Sequence, residues 1–241
     1  MDQGSSSTAI ERCFEELCAQ AGRQGVLGFV EVGAVPLLAE QKQYLQAKLR
    51  KTASVGVVTA VSVGLFYHEP EILAVPASWQ TTAAVDDPWN DYARAYQALN
   101  RSLNHIAAVL AARLDGVAEQ ATMAGWAGQV GHVKEYFANC VSHRAFAEAA
   151  GVGWRGRHGL IVTPEVGPAL RLATVFVPRH IPPRPRALAG CGDCRACLDV
   201  CPILRKASDY REACRRRLNV LGLEDEVCGI CVRVCWDHVR P

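Results

Sequence analysis

Eight of the eleven cysteines lie between Cys191 and Cys235. The first run reads Cys191-x2-Cys194-x2-Cys197-x3-Cys201-Pro202, and the second reads Cys228-x2-Cys231-x3-Cys235, with Cys214 fourteen residues upstream of Cys228. Three thiolates at consecutive x2 spacing can wrap three corners of one iron–sulfur cubane. The fourth cysteine of such a run, followed by proline, is carried away to the other cluster. The spacing therefore predicts two [4Fe–4S] clusters. One takes Cys191, Cys194, Cys197 and Cys235; the other takes Cys201, Cys214, Cys228 and Cys231. Trp236 stands where a second proline would turn the chain, which leaves the ligand count unchanged. The competing reading is a pair of zinc sites. Zinc usually takes two CxxC pairs set apart by a longer spacer, a different pattern from this one. Cys13, Cys18 and Cys140 read as small buried hydrophobes.

Around the cysteines the chain is basic. From Arg179 to Arg217 there are ten Lys or Arg against four Asp or Glu. Positive neighbours raise the reduction potential of an anionic cluster. A solvated basic face, such as a nucleic-acid patch, explains the same residues equally well. The whole chain, 241 residues with a formal charge of +2, gives no argument for nucleic acid or membrane by itself. An odd number of cysteines at short spacings makes a poor disulfide framework. The start, MDQGSSST, lacks the basic-then-apolar pattern of a secretory signal. The apolar-rich stretch Ser54–Tyr67 falls short of the roughly 20 residues a membrane helix needs. The expectation is a soluble cytoplasmic protein whose thiols stay reduced and free for metal.

The elements that must carry this chemistry are legible in outline. Thr8 and Glu11 have capping-box spacing before an amphipathic run that Gly22 can end. Gly25–Val32 reads as a strand, Pro36–Leu49 as a helix and Ser54–Tyr67 as a buried strand. Between Asp91 and Leu114, Tyr92, Tyr96, Leu99, Leu103, Ile106 and Leu110 recur at helical spacing. A further helix is predicted over Val133–Ala150, stopping at Gly151, and strands over Gly159–Val162 and Leu170–Val177. Pro178–Gly190 is proline-rich and poor in core residues. The domain boundary is placed there, dividing 1–180 from 181–241. Strands and helices do not alternate strictly, so the class expected is α+β.

One segment of the larger part stands out, from Gly151 to Gly159, with four glycines beside Trp154, Arg157 and His158. Its bland reading is a helix C-cap and turn before a strand. Together with the preceding residues from His143, it resembles the RAxAxxAGxGWxGKxxLL segment of epoxyqueuosine reductases, which are cobalamin-dependent and carry the same eight-cysteine arrangement. The resemblance covers most of residues 50–240. It implies a nitroreductase-like α/β sandwich that binds a corrinoid, followed by a small ferredoxin-like domain, a pairing shared with reductive dehalogenases. It further implies that Gly153, Trp154, Gly156, Arg157 and His158 lie beside the corrinoid, with Gly153 and Gly156 letting backbone approach the macrocycle.

Two features depart from that family. Its Asp-Thr/Ser-x-Pro motif, whose Asp is the proposed proton donor, is matched here by Phe137-Ala138-Asn139-Cys140, and the helical-repeat extension that grips tRNA is not present before Pro241. Both argue against the full tRNA reaction. The leading expectation is a corrinoid-linked iron–sulfur reductase fed by a ferredoxin or flavodoxin. The alternatives are epoxyqueuosine reductase acting on tRNA, and a non-catalytic electron carrier or reductive activator docking on a corrinoid protein. Tyr136 and His143 are candidate proton donors, each with a structural role as the competing reading.

Overall fold

The computed structural model describes residues 7–51, 59–123, 125–183, 190–206 and 208–239. The strands are β1 (Gly25–Glu31), β2 (Thr59–Phe66), β3 (Val117–Glu119), β4 (Trp154–Arg155), β5 (Ile161–Val162) and β6 (Leu170–Val177). The helices of the first 180 residues are α1 (Ser7–Gln20), α2 (Ala39–Lys51), α3 (Glu69–Leu73), α4 (Trp89–Arg113), α5 (Trp126–Gln129), α6 (Val133–Phe137) and α7 (His143–Ala149). Beyond them come α8 (Ala196–Val200), α9 (Pro202–Lys206), α10 (Tyr210–Val220) and α11 (Ile230–Val239).

Four strands form an antiparallel sheet in the order β1-β2-β6-β3, with Gly25 opposite Leu65, Thr59 opposite Val177 and Val117 opposite Phe176. Side chains of β2 and β6 alternate between two apolar faces, as the pleat requires. Val61, Val63, Leu65, Ala173 and Val175 join Leu99, Leu103 and Ile106 of α4 and Phe14 of α1 on one side. Ala60 and Phe176 meet Leu45 of α2 and Phe146 of α7 on the other. Helices on both faces explain why every residue of β2 is buried. The mixed helix-and-sheet class expected from the sequence is what the chain adopts. The five residues 54–58 of the strand read over Ser54–Tyr67 lie outside the described residues.

Two expectations change. The helix read over Val133–Ala150 is two helices. Asn139 Nδ2 donates to the Glu135 carbonyl at 2.9 Å, and Ser142 begins α7 by accepting from the Ala145 amide at 3.3 Å. Both side chains compete with a continuing helical ladder. The proline-rich stretch also does not separate two cores. The Ile181 amide donates to Thr59 Oγ1 at 3.1 Å, and Leu221, Val227, Ile230 and Trp236 share one apolar cluster with Trp89 and Tyr92 of α4. The composition shift at 178–190 marks a change of chemistry within one packed body; part of that stretch, 184–189, lies outside the described residues.

Candidate redox site

The cysteine chemistry starts from local structure. Cys191 to Cys194 form a turn closed by the Cys194 amide on the Cys191 carbonyl at 2.9 Å, with Gly192 at φ 48. Cys197 sits on α8, Cys214 on α10, and Cys231 and Cys235 one turn apart on α11. Cys228 precedes Gly229, whose φ of 78 a side chain would resist. All eleven cysteines are free thiols.

Their mutual influence sorts them. Burial, then the neighbouring thiols of Cys197, Cys191 and Cys194, push the Cys235 thiol up to about 12. Burial, then Cys228 and Cys201, push Cys214 up to about 12. Cys231 is raised by burial and then by Cys228, Cys214 and Cys201, with Cys197 the last contributor. Cys235 thus feels Cys197, Cys191 and Cys194, while Cys214 and Cys231 both feel Cys228 and Cys201, with Cys231 also feeling Cys197. Thiols this resistant to ionisation become ligands only when a metal displaces their protons. Among the described residues no three His, Cys, Asp or Glu converge closely enough for one ion. A cubane spreads its four thiolates over separate iron corners, which suits these looser sets.

A cavity of about 670 Å³ opens between the sheet half and the cysteine half. All of Cys201, Cys214, Cys228 and Cys231 line it, whereas Cys194 is exposed on the surface. Its other walls include Tyr92 and Tyr96 of α4, Trp126, Tyr136 and Cys140, and Leu170–Leu172 at the start of β6. Among the described residues, six arginines line it, Arg144, Arg155, Arg171, Arg211, Arg215 and Arg217, of which Arg155 pairs with Glu148 and Arg215 with Glu212, against one lining carboxylate, Glu226. Glu226 is already engaged by the Gly128 amide at 2.7 Å. Arg171 donates to Asn100 Oδ1, the Tyr96 hydroxyl and the Thr122 carbonyl, all neutral, and lies 4.0 Å over the Tyr96 ring. Burial, then the charges of Arg211 and Arg155, bring Arg144 down to about 10. Such a site favours a negative guest.

No protein-family model matches the chain. Among curated proteins, the epoxyqueuosine reductase of Alicycliphilus denitrificans is 32% identical over 116 residues, covering 48% of this chain and 32% of the relative. That of Salmonella typhimurium is 28% identical over 171 residues, covering 71% of this chain and 41% of the relative. Among solved structures, the epoxyqueuosine reductase of Streptococcus thermophilus has a TM-score of 0.51 over 94% of this chain and 65% of that chain, at 19% identity. These comparisons support an epoxyqueuosine reductase-like or reductive dehalogenase-like family. The same fold extends to a catabolic reductive dehalogenase solved with 3-bromo-4-hydroxybenzoic acid, with a TM-score of 0.57 over 92% of this chain and 31% of that one, at 14% identity. The matched segments span less than half the length of these two curated relatives.

Within this epoxyqueuosine reductase-like chain, the glycine-rich segment does not form an open cradle. A Cβ at Gly153 would run into the Val162 carbonyl of β5, and one at Gly156 would meet His158 Cε1 at 2.7 Å and Val162 Cγ2 at 2.9 Å. These glycines serve close packing of the β4–β5 hairpin. Trp154 is part-buried and its Nε1 has no partner among the described residues. Arg157 turns toward the cysteines, donating to the carbonyls of Cys194 at 3.0 Å and Gly192 at 2.7 Å. His158 does line the cavity. Its Nδ1 accepts from the Leu160 amide at 3.1 Å, its Nε2 is buried without a partner, and burial, then Arg144, lower it to about 4.

The two candidate proton donors of this epoxyqueuosine reductase-like chain also differ from each other. Both line the cavity. His143 has both ring nitrogens engaged, by Thr174 Oγ1 at 2.9 Å and the Gln120 carbonyl at 2.7 Å, and burial lowers it to about 4. Its geometry is that of a structural histidine. The Tyr136 ring lies tilted against Trp126, centroids 4.5 Å apart, and burial followed by Cys140 holds its hydroxyl protonated well above the ordinary tyrosine range. Sequence reasoning noted Arg211, Arg215 and Arg217 only as part of a basic stretch, and missed Arg144, Arg155 and Arg171 as wall residues. One signal was available for Arg171, a lone charge in the otherwise apolar strand LRLATVFV.

Proposed function

We propose that this epoxyqueuosine reductase-like chain is an iron–sulfur reductase whose two [4Fe–4S] clusters pass electrons into the cavity, and that its substrate is a modified nucleotide of the epoxyqueuosine kind in tRNA. The observation that carries this reading is that Cys201, Cys214, Cys228 and Cys231 line the same cavity as Tyr136, Arg144 and Arg171. Electrons would enter at the set that includes the exposed Cys194, from a ferredoxin or flavodoxin, and leave from the cavity-side set. The reading takes residues 1–180 as nitroreductase-like and 181–241 as ferredoxin-like, joined by a common core.

The curated relatives at 32% and 28% identity are named for the epoxyqueuosine reaction, which moves the tRNA reading ahead of an undetermined substrate. The chemistry agrees with it. Removing an epoxide oxygen as water takes two electrons and two protons, and arginines suit phosphate-bearing guests. A corrinoid is supported by the aromatic walls and by Arg144 and Arg171, which no carboxylate pairs among the described residues. Tyr96, Arg144, His158 and Leu160 would hold it, and bound cobalamin would supply a strongly reducing cobalt centre. Tyr136 keeps a proton at its hydroxyl for delivery. The arginine wall offsets negative charge and holds the guest against the cysteines.

A second reading is favoured by one observation, Asn139 and Cys140 where the relatives carry their acidic motif. Under it the chain is an electron carrier or activator of a corrinoid protein. The test is anaerobic incubation of the reconstituted chain with cobalamin, reductant and epoxyqueuosine-bearing tRNA. Appearance of queuosine supports the first reading. Reducible clusters with no conversion support the second.

A further inference from the structure

The run Arg215-Arg216-Arg217 reads in sequence as a basic surface, but α10 distributes it. Arg216 is exposed, while Arg215 and Arg217 are each 8% exposed. Arg215 is absorbed by scaffold, donating to Glu212 and to the carbonyls of Ala127, Val130 and Gly131. Arg217 is held differently. It lies three residues after Cys214, on the same helix face. Its Nη2 donates to the Gln80 carbonyl at 2.6 Å, and its guanidinium carbon sits 3.7 Å over the Trp79 ring. Its Nε points to Cys228 Sγ at 3.5 Å. No carboxylate pairs with it among the described residues. A buried guanidinium needs a counter-charge, and the sulfur set is the one the geometry offers.

The fixation matters as much as the charge. Indole on one face and a carbonyl at one end lock the guanidinium plane, so Nε cannot swing away from the sulfur. On the other set, the nearest comparable residue is Arg157, whose donors go to backbone carbonyls and not to sulfur. Among the described residues, the two sets thus differ in one charged donor.

We infer that Arg217 is a positioning residue that sets the reduction potential of the cavity-side cluster, through a charged hydrogen bond to the Cys228 sulfur. The inference rests on the two-cluster reading proposed above. The step concerned is the one-electron reduction of a [4Fe–4S] cluster from 2+ to 1+. No proton moves, and with four thiolates the net charge goes from −2 to −3. A fixed cation stabilises the more negative state, so it raises the potential.

The test uses the full chain, reconstituted anaerobically, with iron and sulfide assayed on every sample. Potentiometric titration with dithionite and mediators, followed by electron paramagnetic resonance, gives a midpoint for each cluster. Arg217→Gln removes the charge and should lower the midpoint of one cluster, leaving the other at its wild-type value. The equilibrium should shift by about tenfold, which is about 59 mV for one electron. Arg217→Lys keeps the charge and should shift the same cluster less, and it serves if the glutamine variant does not assemble. Two clusters with unchanged midpoints in either assembled variant overturn the inference. A wild-type chain that assembles no pair of clusters overturns the cluster reading and this inference with it.

Discussion

His143 and His158 are buried in neutral form, and their stability effect has a definite sign. Burial lowers each folded-state value from 6.5 to about 4. The unfolded chain therefore binds more protons between those values, and stability falls as pH drops. The contribution is intact above pH 6.5 and lost by about pH 4. It amounts to about 3 kcal/mol per histidine from the size of the shift. Chemical denaturation at pH 7.5 and pH 5 should show the loss, and His143→Gln should flatten the profile. A profile unchanged by His143→Gln would show that the acid sensitivity resides elsewhere. Single cysteines give a sharper prediction. Cys201→Ala should damage the cluster shared with Cys214, Cys228 and Cys231, and Cys235→Ala the other. Magnetic resonance that finds Cys201 completing the Cys191–Cys197 site would refute the crossing. At this scale spacing singled out Cys201, Cys214, Cys228 and Cys231, and these four do line one cavity. Arg217 was hidden because three adjacent arginines look alike until a helix points them apart.

At the scale of the element, α4 shows how far periodicity reaches. Tyr92, Tyr96, Leu99, Leu103, Ile106 and Leu110 are all buried, as their spacing required. The break between α6 and α7 was less legible, because Asn139 and Ser142 act through side-chain bonds that a hydrophobic pattern does not register. The glycine-rich turn misled for a related reason. A glycine can leave room for a ligand or for its own chain, and sequence does not say which. Here Val162 and His158 fill the room. Gly156→Val should therefore destabilise the hairpin. It should also disturb the cysteine set around Cys194 through Arg157, so that cluster content falls together with any cobalamin binding. Normal cluster content in that variant would argue against the coupling. The turn before α11 is equally tight. A Cβ at Gly229 would meet the Tyr92 ring at 2.6 Å in a left-handed backbone. Gly229→Ala should cost about 1 kcal/mol or more in strain and lower iron incorporation at the cavity-side set. Full iron content would refute this.

The molecule as a whole is held together across the proline-rich stretch. Trp89 Nε1 donates to the Cys228 carbonyl at 2.6 Å, and Arg233 of α11 donates to the carbonyls of Leu73 and Val75. Trp89→Phe leaves that carbonyl unpaired and should cost about 1–3 kcal/mol, read as a lower melting temperature of the reconstituted protein. An unchanged melting temperature would show the bond to be dispensable. The composition shift at residues 178–190 gave no hint of this union, because a boundary in chemistry need not be a boundary in packing. The shared core also has a consequence in time. A chain is synthesised from its N-terminus, so the apolar face of α4 exists before the residues that will cover it. Trp89 and Tyr92 wait for Leu221, Val227 and Ile230, and those residues are threaded among the cysteines. Under the two-cluster reading, metal supply would act as a maturation checkpoint. A cell short of iron would accumulate a sticky, half-built intermediate, and the first symptom would be aggregation and proteolysis, ahead of any lost reaction.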